Sequence, residues 1–239
     1  MKIISCLSVL FFSFCSVSAQ ETVRFLAVDD AALDYLRTVG SHSTIYQGAE
    51  QQWHPRTTNH PYYRDERPVS ARLSYNNIVY PDVLIRLDWS RNELIIFSPD
   101  NRNLVLFEEN VDFAHLHGKH VIYFQRDSLP GSPPTGYYVL LHSQKYKVLK
   151  RQTATLTHSN TAQQTKNQHF VINTNYFLLH DGIYHNIRSK RALLRIFQPQ
   201  RKELEKYISS NRLRFRADRE TFITQTVREY ERLTCNLNP

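Results

Sequence analysis

Cysteine is scarce in this chain of 239 residues, and where it occurs matters more than how often: Cys6 and Cys15 lie in an apolar N-terminal run, and only Cys235 stands elsewhere, near the C-terminus. Once that run is removed, as expected below, no two cysteines remain to pair. An intramolecular disulfide framework is therefore excluded, and stability must come from a core. A nucleophilic thiol needs a shaped pocket and a base, which a chain end rarely supplies, so Cys235 is expected to be a bystander or an intermolecular disulfide partner. Glycine and proline are also few, six and ten, which excludes collagen-like and low-complexity chains. Past the N-terminus no apolar run has the length of a membrane-spanning helix. No G-x-S-x-G, H-E-x-x-H, phosphate-binding glycine loop or C-x-x-C occurs, so the common signatures of serine hydrolases, zinc peptidases, nucleotide-binding proteins and thiol oxidoreductases are missing.

The apolar N-terminal run follows Met1-Lys2 and ends in S-A-Q. A charged start, an apolar stretch and a small-residue site form the layout of a secretory signal peptide, with cleavage expected after Ala19. The run is short for a span, and Cys15 follows Phe14 rather than the small residue an acylated lipoprotein cysteine requires. The expected organisation is a signal peptide over 1–19 and a single β-rich domain over 20–239, exported to the periplasm or beyond, with a helical segment at 188–233.

Fourteen Tyr and thirteen Phe suit pleated, half-buried surfaces. After a short helix following Asp29-Asp30, the stretch 43–65 is polar and broken by proline. It is expected to be a covering loop that begins with a short strand and packs through Tyr46, Trp53, Tyr62 and Tyr63. Alternating segments then succeed one another closely: V-S-A-R-L-S-Y, I-V-Y, V-L-I-R-L-D-W, E-L-I-I-F-S, N-L-V-L-F-E, V-D-F-A-H-L-H, H-V-I-Y-F-Q, Y-Y-V-L-L-H and Y-K-V-L-K-R-Q. Such short links require antiparallel neighbours. A polar stretch, T-A-T-L-T-H-S-N-T-A-Q-Q-T-K-N-Q, is expected to be a loop, followed by a closing hairpin turned by Asp181-Gly182.

Helical spacing begins at Ser189, a plausible N-cap, with Ala192, Leu193, Ile196 and Phe197 on one side. Pro199 separates this helix from one carrying Leu204, Tyr207 and Ile208, ended by Asn211 as a left-handed residue. Asp218 caps a last helix with Phe222, Ile223, Val227, Tyr230 and Leu233 inward. The fold class is thus α+β: an antiparallel β meander of eight to ten strands, as a sandwich or open roll, closed by short C-terminal helices.

The segments H-P-Y-Y, S-Y-N-N-I-V-Y-P-D-V-L-I-R-L-D-W, G-Y-Y-V-L-L, I-R-S-K-R-A-L-L-R-I-F and K-Y-I-S-S-N-R-L-R-F-R together resemble uncharacterised secreted proteins of Bacteroidota. The resemblance implies export and covers most of the chain, and it brings no activity or site residues.

Candidate chemistry is thin. His115, His117 and His120 could share a metal, but Gly118-Lys119 reads as a turn and no ligand completes the set, so no metal or other cofactor is expected. His180, Asp181 and His185 flank the closing hairpin, where Asp181 is explained by the turn. Glu108 and Glu109 alternate in direction and cannot act as a pair.

Charge is unevenly placed. Between Arg188 and Arg219 eleven Lys and Arg face Glu203, Glu205 and Asp218, which places the whole net charge of +8 in this segment. Arg188, Lys190, Arg191, Arg195, Arg212, Arg214 and Arg216 should lie on exposed faces and favour an anionic partner, an acidic cell-envelope component or protein rather than nucleic acid. The leading expectation is a non-enzymatic envelope or extracellular binding protein. The alternative is a hydrolase whose site is assembled from distant His and Asp residues.

Overall fold

A computed structural model describes residues 30–32, 34–35, 38–116, 120–126, 128–159 and 167–235. The expected signal peptide, His117 and the middle of the polar stretch 153–168 lie outside them.

Among the described residues eleven strands make one antiparallel sheet: β1 Ala49–Glu50, β2 Val69–Tyr75, β3 Ile78–Asp88, β4 Glu93–Phe97, β5 Asn103–Val105, β6 Val111–Leu116, β7 His120–Gln125, β8 Gly136–Ser143, β9 Lys147–Ser159, β10 Asn167–His180 and β11 Ile183–Asn186. Their order is β1-β5-β4-β3-β2-β6-β7-β8-β9-β10-β11, and the sheet is not closed. A single meander is therefore not what forms. Strands β2 to β5 step one way, and the chain then crosses back so that β6 pairs with the other edge of β2, from where β6 to β11 step away in the opposite direction.

The turns follow from residues that tolerate positive φ. Asn76-Asn77 joins β2 to β3 at φ 53° and 61°, and Asp181-Gly182 joins β10 to β11 at 48° and 75°. These are the conformations a tight hairpin with twisted strands needs. The segments I-V-Y and V-L-I-R-L-D-W, expected as separate strands, are one strand, β3, which runs through Pro81. Ala71 pairs Val83 and Leu73 pairs Tyr80, so Pro81 and Asp82 together oppose Arg72 in a bulge, where a missing N–H costs no ladder bond. The polar stretch after Gln152 is also strand, not loop, as far as Ser159. Its threonines alternate with Ala154 and Leu156, and Ala154 is buried while Leu156 packs on the core.

The long β9–β10 hairpin serves three apolar clusters. Its outer half returns over the first: Ala154 N–H donates to Trp89 O at 3.3 Å, and Ala154 and Phe170 join a cluster that includes Tyr75, Tyr80, Ile85, Leu94, Val111 and Tyr137. Its inner half carries Val148, Tyr176 and Leu178 on one face, against the helices, and Leu149 and Phe177 on the other, with Tyr138 and Tyr184. The loop 128–135 covers this second face, where Pro130 O accepts from Tyr184 N–H at 2.9 Å. Gly131, at φ 71°, lies against the carbonyl of Tyr184 so closely that no side chain fits there.

Three helices follow, α1 Lys190–Ile196, α2 Arg201–Ser210 and α3 Arg219–Cys235. Ser189 Oγ accepts from Ala192 N–H at 3.1 Å as the N-cap of α1, and Asp218 Oδ1 accepts from Thr221 N–H at 3.0 Å at the start of α3. Pro199 sits in a 3-10 turn between α1 and α2. Asn211 is not the left-handed residue after α2; its φ is −89°, and Arg212 takes the positive value, 53°. Asn211 instead donates its side-chain N–H to Tyr207 O at 3.0 Å. Leu193, Phe197, Leu204, Ile208, Phe222, Ile223, Val227 and Tyr230 are buried against Val148, Tyr176 and Leu178 of the sheet and Tyr146 of the β8–β9 turn. The helices thus share a core with the sheet and do not form one of their own.

Candidate functional site

The helical cap presents two unlike sides. Its inner side is the apolar stripe just described, because residues three and four apart share a helix face. Its outer side is left to the charged residues between them. Arg188, Lys190, Arg191 and Arg195 are exposed on and beside α1, and Arg201, Lys202 and Lys206 are exposed on α2. In the link from α2 to α3, Leu213 and Phe215 are half-buried against the helical core while Arg212, Arg214 and Arg216 are exposed.

Counter-charges are few. Arg201 pairs with Glu205 at 2.9 Å, and Lys150 of β9 takes Glu220 at 2.7 Å. Among the described residues, Arg188, Lys190, Arg191, Arg195, Arg212, Arg214 and Arg216 form no ion pair. Neutralisation by the sheet through Glu108, Glu109 or Asp112 is not found either. Asp112 accepts from Ser74 at 2.8 Å, and Glu108 and Glu109 sit in a 3-10 turn whose carbonyls accept from Arg126. A cavity of about 480 Å³ opens between β11 and α1, lined by Tyr184, His185, Asn186, Ala192, Arg195 and Ile196.

Beneath the cap lies a buried polar contact that the helical spacing did not reveal. Glu231 is on the inner face of α3, 5% exposed, and accepts from Tyr146 N–H at 2.9 Å while its other oxygen meets His142 Nε2 at 2.7 Å. It ties the last helix to β8 and to the turn after it. Nearby, His180 stacks on Tyr146 at 4.9 Å and lies 3.3 Å from Asp181; burial holds its pKa below the ordinary histidine value. His185 lies at 6.4 Å, ring to ring. His180 and Asp181 do meet, but His180 is packed among Tyr146, Phe197 and Tyr230, the surroundings of a core histidine.

A second constellation assembles from residues far apart in sequence. His54 Nε2 lies 2.5 Å from Oδ2 of the fully buried Asp88, and His54 packs edge-on to Phe170. Asp88 Oδ1 accepts the N–H groups of Ser90 and Arg91, at 2.7 and 3.3 Å, so the carboxylate also caps the β3–β4 turn. Opposite it, Glu93 is pushed up in pKa, first by burial, with the Arg91 charge opposing. Among the described residues no hydroxyl or thiol bonds His54, so this His–Asp pair lacks the nucleophile of a hydrolytic triad.

The loop carrying His54 holds one clear departure from expectation. Tyr62 and Tyr63 are buried and Tyr46 packs on the core, but Trp53 is 72% exposed. Beside it, Tyr62 lies under the guanidinium of Arg86 at 4.0 Å. Arg86 is buried and donates to Glu66 O and Gln51 Oε1 at 2.7 and 2.9 Å, with uncharged partners in place of a carboxylate. His115 is exposed on β6, and Leu116 pairs with His120 across to β7.

No helix among the described residues is long and apolar enough to cross a membrane. No protein-family model, no curated protein and no solved structure matches this chain.

Proposed function

We propose that this is an exported, non-enzymatic protein that binds an acidic cell-envelope component or an acidic protein through the outer side of its helical cap. The observation that carries the reading is the set of seven exposed cations, Arg188, Lys190, Arg191, Arg195, Arg212, Arg214 and Arg216, with no ion pair among the described residues. Unpaired surface charge costs little in water and produces a field that draws anions, whereas charge meant for stability is usually paired. The charges sit on and beside a short helix and on a link, both packed from within on the core shared with the sheet, so their backbone is in place before a partner arrives and little ordering opposes binding. Arg212, Arg214 and Arg216 are exposed in a link whose Leu213 and Phe215 are packed on the helical core.

The hydrolase alternative would draw on His54 and Asp88. Both oxygens of Asp88 are occupied and the carboxylate is fully buried, an arrangement suited to bracing a loop.

The test is capture of partners from the cell envelope by the mature protein at low and high ionic strength. Acidic components retained at about 50 mM salt and released at about 500 mM support the reading, since the screening length falls well below 10 Å over that range. Capture that ignores salt contradicts it.

A further inference from the structure

We propose that the loop over residues 51–66 is a binding site for a neutral carbohydrate, with one sugar ring laid on the indole of Trp53. This site is separate from the helical cap and does not depend on the reading given to it.

The loop is braced at several points. His54 is held by Asp88, Asn59 clamps Phe170 through its side-chain amide (Oδ1 from Phe170 N–H at 2.7 Å, Nδ2 to Phe170 O at 2.8 Å), and Pro61 O accepts from Trp89 N–H at 3.0 Å. Thr58 N–H donates to Gln168 O at 3.0 Å and Tyr63 N–H to Leu87 O at 2.9 Å. Trp53 is therefore displayed by an anchored loop, 72% exposed, while the only other tryptophan, Trp89, is buried in the core. It borders a cavity of about 330 Å³ whose wall includes His54, Arg56, His60, Tyr62 and Glu66. That volume is at the small end of ligand pockets, which run from about 300 to 1,000 Å³, and suits one ring rather than a long chain in cross-section.

The lining selects the chemistry. Arg56 and Glu66 oppose each other in sign, so the wall offers no net field to an ion. His60 stacks on Tyr62 at 6.0 Å and completes the wall. Arg56 and Glu66, both exposed at the rim, can donate to and accept from the hydroxyls of a guest, an interaction that a purely apolar guest leaves unused. A flat apolar face for the indole combined with hydroxyls at its rim describes a pyranose.

The full mature chain is titrated with neutral oligosaccharides of glucose, galactose, mannose and N-acetylglucosamine, followed by tryptophan emission and by calorimetry. The expected result is saturable binding of at least one of them with a Kd of about 1 mM or tighter. Trp53→Ala should weaken it about tenfold or more, Trp53→Phe less, and Arg56→Ala several-fold, with circular dichroism unchanged. Raising salt, or changing Arg212, Arg214 and Arg216 to Gln, should leave it unaltered, which separates this site from the basic cap. Absence of binding to every sugar up to about 10 mM, or binding unchanged in Trp53→Ala, overturns the proposal. Binding confined to acidic sugars and abolished by salt also overturns it.

Discussion

At the scale of single residues, two carboxylates at the end of the β3–β4 hairpin behave oppositely. Asp88 is buried but fully engaged, by His54 and by two backbone N–H groups. Asp88→Asn should lower stability by about 1–3 kcal/mol in urea unfolding, because the charge-assisted bond to His54 is lost while the shape is kept. Glu93 has one oxygen buried with no partner, and its folded pKa is raised above the unfolded value. The folded state therefore binds its proton more readily than the unfolded chain, and stability falls as pH rises through the carboxylate range. Glu93→Gln should raise the unfolding midpoint at neutral pH and lose that advantage as pH drops below the range, a comparison thermal unfolding at two pH values makes directly. Neither role could be read from the sequence. Asp88 and His54 are 34 positions apart, and what makes them partners is the pairing of β3 with the loop over it.

At the scale of elements, the helical cap was the most predictable part of the chain, because each device in it is local. Ser189 and Asp218 cap as their residue types imply, and the 3.6-residue period picked out Leu193, Phe197, Leu204, Ile208, Phe222, Ile223, Val227 and Tyr230. The period also misled. Glu231 falls on the inner face yet is charged, and only the presence of Tyr146 and His142 across the interface explains it. Removing one partner of a buried polar pair costs more than the pair is worth, so Glu231→Leu should destabilise by about 2–4 kcal/mol. Phe197, fully buried and stacked on Tyr230 at 4.0 Å, should cost about 3–5 kcal/mol as Phe197→Ala. Both losses should appear in one cooperative urea transition, since helices and sheet share a core; a separate early transition for the helices would contradict that. In the sheet, alternation located the strands well but not their joins. Pro81 looked like a break because a bulge cannot be foreseen without its partner strand, and the threonine-rich half of β9 looked like loop because few of its residues are large and apolar.

At the scale of the whole molecule, strand order was the least accessible property. Short links predict antiparallel neighbours, but nothing local states that β6 returns to the free edge of β2, since that choice depends on which faces can be buried once β2 to β5 have formed. Charge asymmetry, by contrast, is visible in the sequence and carries through to the surface. The inner side of the cap has taken all its apolar residues, so the cations are left outward. The most direct measurement of the proposed function is the affinity of the chain without residues 1–19 for acidic envelope components as a function of salt, compared with the variant in which Arg212, Arg214 and Arg216 are all Gln. The account predicts that log affinity falls steadily with log salt, that the variant binds about tenfold or more weakly at about 0.1 M salt with a shallower slope, and that its unfolding curve is unchanged. Equal affinity of the two proteins, or binding independent of salt, would contradict it and leave the basic cap a solvated surface.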